Sequence, residues 1–207
     1  MAKKIISIFK KEYAQAWCTL NYKGPFQLLI SVILSAQCTD ARINMITPAL
    51  FAKYPNAKSL AKAPQKDVEK LIHSAGFYRT KAKNIIKTAS LITKNFGGKV
   101  PNKMEDLLTL AGVARKTANI VLFHAYGKNE GVAVDTHCLR ISYCLGLTSK
   151  RHNQQLTEKE LMEALPKEHW GMYTNWMVLH GRKYCIARNP KCEECPLRKI
   201  CPKKGIN

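Results

Sequence analysis

Acidic side chains are scarce in this chain. Only 14 Asp and Glu stand against 34 Lys and Arg in 207 residues, a formal net charge of +20. A surplus of that size repels itself when the chain compacts, so it implies a polyanionic partner and points to a nucleic-acid enzyme or binder rather than a metabolic enzyme. An anionic membrane is the second candidate partner. However, no short basic tail concentrates the charge, and its spread along the chain suits a long groove better than a lipid surface. Long apolar runs are missing as well: none approaches the roughly 18 residues of a membrane span. The opening Met1–Phe9 is basic then apolar, but Lys10, Lys11 and Glu12 cut it short, which argues against a signal peptide. Also absent are internal repeats, low-complexity segments and any sustained two-residue alternation from which a sheet could be built. What these absences leave is an all-α chain of one or two domains, large enough to bury about 70% of its unfolded surface.

The positive signal is helical periodicity. Phe26, Leu29, Ile30, Val32, Ile33 and Leu34 lie in a nearly all-apolar stretch, which predicts a central buried helix. Val68, Leu71, Ile72 and Ala75 form an amphipathic stripe with Gly76 as its expected C-cap. Ala82, Ile85, Ile86, Ala89 and Ile92 form another, stopped by Gly97-Gly98 and Pro101. Further helices are predicted near 3–17, 40–53, 104–110, 116–126, 136–144, 157–165 and 172–183. A soft boundary falls at 127–131. It predicts a central bundle over 20–131 and a second domain made of 1–19 and 132–207.

Eight cysteines in a chain without an export signal point to a reducing compartment and a metal site, not to disulfides. Cys185, Cys192, Cys195 and Cys201 are spaced C-x6-C-x2-C-x5-C. Thiolates bind soft or borderline metals, and four of them complete a tetrahedral or a cubane site. Structural zinc more often uses two C-x2-C pairs, of which this loop has one; the wider gaps favour an iron–sulfur cluster. Arg188 and Lys191 flank Pro190 in the first gap. Either a metal-pinned loop presents them to phosphates, or they are solvated surface charges. Cys18, Cys38, Cys138 and Cys144 fall in apolar helical patterns and read as small core residues.

Three more segments carry candidate chemistry. Residues 107–119 read LLTLAGVARKTAN, an apolar helix, a tight turn centred on Gly112 and a second helix. Glycine there lets backbone N–H groups approach a phosphate, and the helix N-terminus favours the anion. Lys116 falls in the first turn of that second helix. The positive end of the helix and the neighbouring Arg115 disfavour its ammonium form, which makes a more nucleophilic amine; the alternative is an ordinary phosphate-contacting lysine. Asp135 ends the apolar run 132–134 and is either a helix N-cap alone or a carboxylate held ionised for chemistry. Gln37 sits in a polar break after the apolar helix, where Thr39 or Asp40 can cap the next one; a core-adjacent amide is its plain alternative.

Taken in order, SAQCTD at 35–40, AGFYRTKAKNI at 75–85, LAGVARKTANIVL at 110–122, VAVDTH at 132–137 and LHGRKYCIARNPKCEECPLRKIC at 179–201 resemble the endonuclease III family of DNA glycosylases. The resemblance runs from about Pro25 to Cys201. It implies two helical domains flanking a DNA-binding groove, a helix–hairpin–helix at that groove and a [4Fe-4S] cluster in the domain built from both termini. It implies Cys185, Cys192, Cys195 and Cys201 as cluster ligands, Lys116 as nucleophile, Asp135 as catalytic carboxylate and Gln37 as the residue filling the gap left by an extruded base. Gly112, Ala114, Arg115, Arg188 and Lys191 become expected DNA contacts. The implied activity is base-excision repair: an N-glycosylase for oxidised pyrimidines with lyase action at abasic sites, working as a monomer on double-stranded DNA in the cytoplasm, with no membrane partner. An adenine glycosylase of the same fold lacks the lysine at position 116, and a noncatalytic iron–sulfur DNA-binding protein has no use for Lys116 and Asp135. The family hairpin reads L-P-G-V-G, where this chain has Ala111 and Ala114. Were residue 114 required to adopt positive φ, alanine would cost about 1 kcal/mol.

Overall fold

A computed structural model describes residues 1–206. Among them are eleven α-helices, one 3-10 turn and no strand, so the chain is all-α. It divides into two compact units, residues 18–128 and residues 1–17 with 129 onward, each around its own apolar core.

In the unit 18–128, α2 (Gly24–Ser35) is the hub because its sequence GPFQLLISVILS carries no charge. Leu28, Leu29, Ile30 and Leu34 are fully buried on different sides of it. Pro25 sits in the first turn, where its missing N–H is one the helix leaves unused anyway. α3 (Asp40–Lys53) starts on Thr39, whose side chain accepts from the Arg42 N–H at 3.3 Å. α4 (Ala57–Ala61) opens with a capping box between Asn56 and Ser59. α5 (Gln65–Leu71) and α4 both pack on the long α6 (Tyr78–Asn95), which buries Ala82, Ile85, Ala89 and Ile92 as one stripe. α7 (Met104–Leu108) leads through a short turn to α8 (Arg115–Tyr126), which packs on α2 and ends at Gly127 with φ 65°.

The other unit holds α1 (Ala2–Glu12), α9 (Thr136–Cys144), α10 (Gln154–Ala164) and α11 (Trp170–Lys183), the last preceded by a 3-10 turn at Lys167–His169. Ile5, Phe9, Leu161, Tyr173 and Met177 are fully buried at its centre. Glu12 Oε1 accepts from Lys183 Nζ at 2.8 Å and from Tyr184 Oη at 3.0 Å, tying α1 to the point where the cysteine loop begins. The Lys183 hydrogen bond, then that of Tyr184, holds the Glu12 carboxyl below its usual range.

Three expectations need correction. α5 stops at Leu71, so Gly76 is not its C-cap; the left-handed residue here is Phe77, at φ 57°, which leads into α6. α1 ends at Glu12 rather than near 17. α4 was not foreseen, since five residues are too few to show a stripe.

Candidate functional site

The cysteine loop is shaped by its backbone. Tyr184 and Cys185 N–H both donate to His180 O at 2.9 Å, ending α11, and Lys191 N–H returns to Tyr184 O at 2.8 Å, closing the first gap into a ring. Tight turns follow, with Cys195 N–H on Cys192 O, Arg198 N–H on Cys195 O and Cys201 N–H on Leu197 O. Leu197, fully buried, anchors these turns. As a result Cys185, Cys192, Cys195 and Cys201 come to line one small pocket together with Ile141, Leu145 and Leu197. None of the four is in a disulfide. Among the described residues no three metal-binding side chains converge to hold a single ion. The four thiols line one pocket together with several apolar side chains, a donor set that fits an iron–sulfur cluster. Burial pushes the Cys195 thiol up to about 11 and raises Cys201 as well, so a bound cationic group is what would hold them as thiolates.

Cys185 differs from its partners. A hydrogen bond with Cys144 and the charge of Arg140 draw its thiol well below the usual range, against the effect of burial. Arg140 Nη1 donates to Cys185 Sγ at 3.3 Å and also to its carbonyl oxygen. Arg140 and Cys144 are four residues apart on α9 and therefore share a face. Cys144 is buried, as the sequence predicts, but it lines the same pocket as the four loop cysteines. Cys138 is fully buried, whereas Cys18 and Cys38 are only half-buried.

Within the unit 18–128, two expected DNA contacts come together. Gln37, exposed at φ 53° between α2 and α3, and Gly112, between α7 and α8, line one recess of about 620 Å³ with Ile33, Phe77, Lys81 and Asn84. Gly112 has φ 76°, a conformation that favours glycine, and a Cβ there would sit tight against Asn84 Nδ2 at 3.1 Å. Thr88 Oγ1 donates to Ala111 O at 2.7 Å and fastens the hairpin to α6. Ala114 is the N-cap of α8 at φ −96°, ψ 171°, an extended conformation open to any residue, so the strain penalty considered for alanine does not arise. Arg115 and Lys116 follow as the first two residues of α8, both exposed.

Asp135 lies in the other unit, half-buried at the N-cap of α9, with Oδ1 accepting from Cys138 N–H at 2.7 Å. Arg188 and Lys191 are exposed on the first gap of the cysteine loop. Arg188 joins Arg140 and Arg151 around a recess of about 650 Å³; Lys191 does not line it.

Sequence reasoning missed Phe77 and Lys81. Phe77 is 69% exposed, a large apolar ring presented to solvent beside Gln37. Lys81 is 5% exposed, and its Nζ makes no hydrogen bond. Its signal was in the sequence: residues 81, 85, 88, 89 and 92 share one helical face, and four of these five are uncharged while Lys81 is not.

Two family descriptions match the chain. Residues 30–167 match the HhH-GPD superfamily base excision DNA repair protein, and residues 185–201 match the iron-sulfur binding domain of endonuclease III. The endonuclease III of Synechocystis sp. is 51% identical over 201 residues, 97% of this chain and 91% of that protein. The endonuclease III of Bacillus subtilis is 41% identical over 200 residues, 94% of this chain and 91% of that protein. A solved non-covalent endonuclease III–DNA complex superposes with a TM-score of 0.91 at 39% identity, covering 97% of this chain and 94% of that one. A trapped endonuclease III–DNA covalent intermediate, an estranged-adenine complex, gives 0.90 at 39%, covering 98% and 96%. The chain thus carries a [4Fe-4S] cluster, and the stretch that matches the iron-sulfur binding domain contains the four cysteines of the loop. With matching sequence along nearly its whole length, a matching fold and the matching cysteine loop, the chain belongs to the endonuclease III family of the HhH-GPD superfamily of base-excision DNA repair proteins.

Proposed function

We propose that this chain is a bifunctional DNA glycosylase and abasic-site lyase that removes oxidised pyrimidines from double-stranded DNA. The observation that carries the reading is Lys116: an exposed primary amine on the first turn of the helix leaving the Gly112 hairpin. The rest of the site serves that amine. The net charge of +20 holds the duplex, and the hairpin N–H groups with Arg115 grip its phosphates. Extruding the damaged base costs a few kcal/mol, least where the lesion already stacks poorly. Phe77 is the apolar wedge entering the opened stack, and the Gln37 amide fills the vacated place. Lys81 donates from the floor of the same recess to an acceptor on the strand.

Lys116, as the free amine, attacks C1′ as the base departs. Asp135 offsets the positive charge that develops on the sugar and takes up protons in turn. The iminium so formed acidifies C2′–H; loss of that proton breaks the C3′–O bond and cuts the strand. A hydroxyl or water in place of the amine forms no iminium, which separates a lyase from a simple glycosylase. Cys185, Cys192, Cys195 and Cys201 would hold the [4Fe-4S] cluster, which would fix the loop that presents Arg188 and Lys191 to phosphates. The reading assigns residues 20–131 to a central bundle and residues 1–19 with 132–207 to the cluster-bearing domain, acts through a monomer and places the protein with the DNA of the cytoplasm.

The test is a duplex bearing one oxidised pyrimidine. Release of the base together with strand cleavage at that site, and neither from undamaged duplex, supports the reading. Base release that leaves the strand intact removes the lyase half of it, and no release removes both.

A further inference from the structure

His180, in the last turn of α11, is 2% exposed and is engaged at both ring nitrogens. Nε2 lies 3.5 Å from Cys195 Sγ, and Nδ1 lies 2.9 Å from Tyr13 Oη. Tyr13 is the C-cap of α1 and is itself buried. The rings of Phe9 and Tyr184 pack beside the imidazole, with centroids 5.2 and 5.6 Å away, and limit how it turns. Three separate segments thus meet in one line of contacts: the Tyr13 hydroxyl, the His180 ring and the Cys195 sulfur. Burial favours the neutral imidazole, which carries a single N–H on either nitrogen. A metal-bound Cys195 has given up its proton and only accepts. Nε2 therefore carries the hydrogen, and Nδ1 accepts from the Tyr13 O–H.

We propose that Tyr13 and His180 form a hydrogen-bond relay that tunes the iron–sulfur centre through Cys195. His180 donates to the ligand sulfur, and Tyr13 is a positioning residue that holds the ring in the donating tautomer. This inference rests on Cys195 being a cluster ligand. An N–H donated to a ligand sulfur favours the more reduced, more negative state, so it raises the potential and slows oxidation. Leucine at 180 removes the donor. Phenylalanine at 13 takes the hydroxyl from Nδ1, so the ring hydrogen is no longer held on Nε2. Neither change touches a ligand sulfur.

The experiment uses the purified cluster-loaded protein without DNA. It measures the midpoint potential for oxidation of the cluster by direct electrochemistry, and the rate at which ferricyanide bleaches the thiolate-to-iron absorbance. His180→Leu is expected to shift the potential downward and to bleach several-fold faster than wild type. Tyr13→Phe should move both readings the same way by a smaller amount. Because Tyr13 acts through the ring, the pair Tyr13→Phe with His180→Leu should match His180→Leu alone. Tyr184→Phe, whose hydroxyl donates to Glu12 and not to the ring, should keep the wild-type potential. An unchanged potential in Tyr13→Phe or in His180→Leu overturns the inference, and so does a pair whose shifts simply add. An equal fall in Tyr184→Phe traces the effect to loosened packing and overturns it too. Should His180→Leu not fold, Tyr13→Phe against Tyr184→Phe decides the matter. A wild-type protein without iron, by contrast, removes the ligand assignment itself and the inference with it.

Discussion

Replacing Lys81 by methionine separates stability from DNA binding. The Lys81 side chain runs along the core face of α6, and its Nζ is enclosed without a hydrogen bond. An unmade bond to a buried donor costs about 1–3 kcal/mol. Methionine has nearly the same length, no branch and no polar head, so it fills the space without leaving a cavity. Lys81→Met is therefore expected to stabilise the unit 18–128 by about 1–2 kcal/mol, read as a higher urea midpoint at unchanged slope. The pH dependence carries the sign. Burial lowers the folded pKa of Lys81 below the ordinary 10.5, so the folded chain releases this proton before the unfolded chain does. Between those two values the unfolded state binds more protons, and wild-type stability climbs with pH; the methionine variant has no such proton to lose. The gap between the two proteins should narrow as the pH rises towards 10.5. Binding moves the other way. Loss of a charged donor worth about 1.5–3 kcal/mol weakens affinity for lesion DNA roughly ten- to 150-fold. A variant less stable than wild type, or a stability gap indifferent to pH, would show that Lys81 already has a structural partner and refute the reasoning.

Two further substitutions probe the other unit. Asp135→Asn should leave stability within a few tenths of a kcal/mol, because asparagine caps as well as aspartate, while Asp135→Ala costs about 1 kcal/mol. Both should turn over poorly in single-turnover assays on lesion DNA, and a near-normal rate for the asparagine variant would exclude a catalytic role. Gly181→Ala places a Cβ 2.1 Å from His137 Nδ1, a ring that also contacts Arg140 at 3.3 Å. It should destabilise this unit by about 1–3 kcal/mol in urea unfolding; a change below about 0.5 kcal/mol would mean the ring moves aside freely.

The long elements were legible because their apolar positions repeat at helical spacing over several turns. α3 and α9 begin and end where capping residues and periodicity place them. Short or irregular pieces were not. α4 has five residues and is set by a capping box rather than a stripe. Gly76 looked like a helix stop, yet the left-handed conformation falls on Phe77, a choice made by tertiary context. In the hairpin, the sequence placed a tight turn on Gly112, and its φ of 76° is one that favours glycine. Which residue would carry strain at position 114 depended on a φ that only coordinates give. The cysteine loop was legible from its spacing, while the place of Cys144 on the same pocket wall was not, because it lies 41 residues before Cys185. The recess beside Gln37 escaped for the same reason: it gathers side chains from three separate segments.

The central claim is covalent chemistry at one amine, and borohydride trapping reads it directly. Wild-type protein mixed with duplex containing an oxidised pyrimidine and reduced in place should yield a protein–DNA adduct that survives denaturing gels. Lys116→Ala, exposed and so expected to fold with stability within about 0.5 kcal/mol of wild type, should yield none. An adduct of undiminished intensity from Lys116→Ala, or its absence from the native chain, contradicts the account.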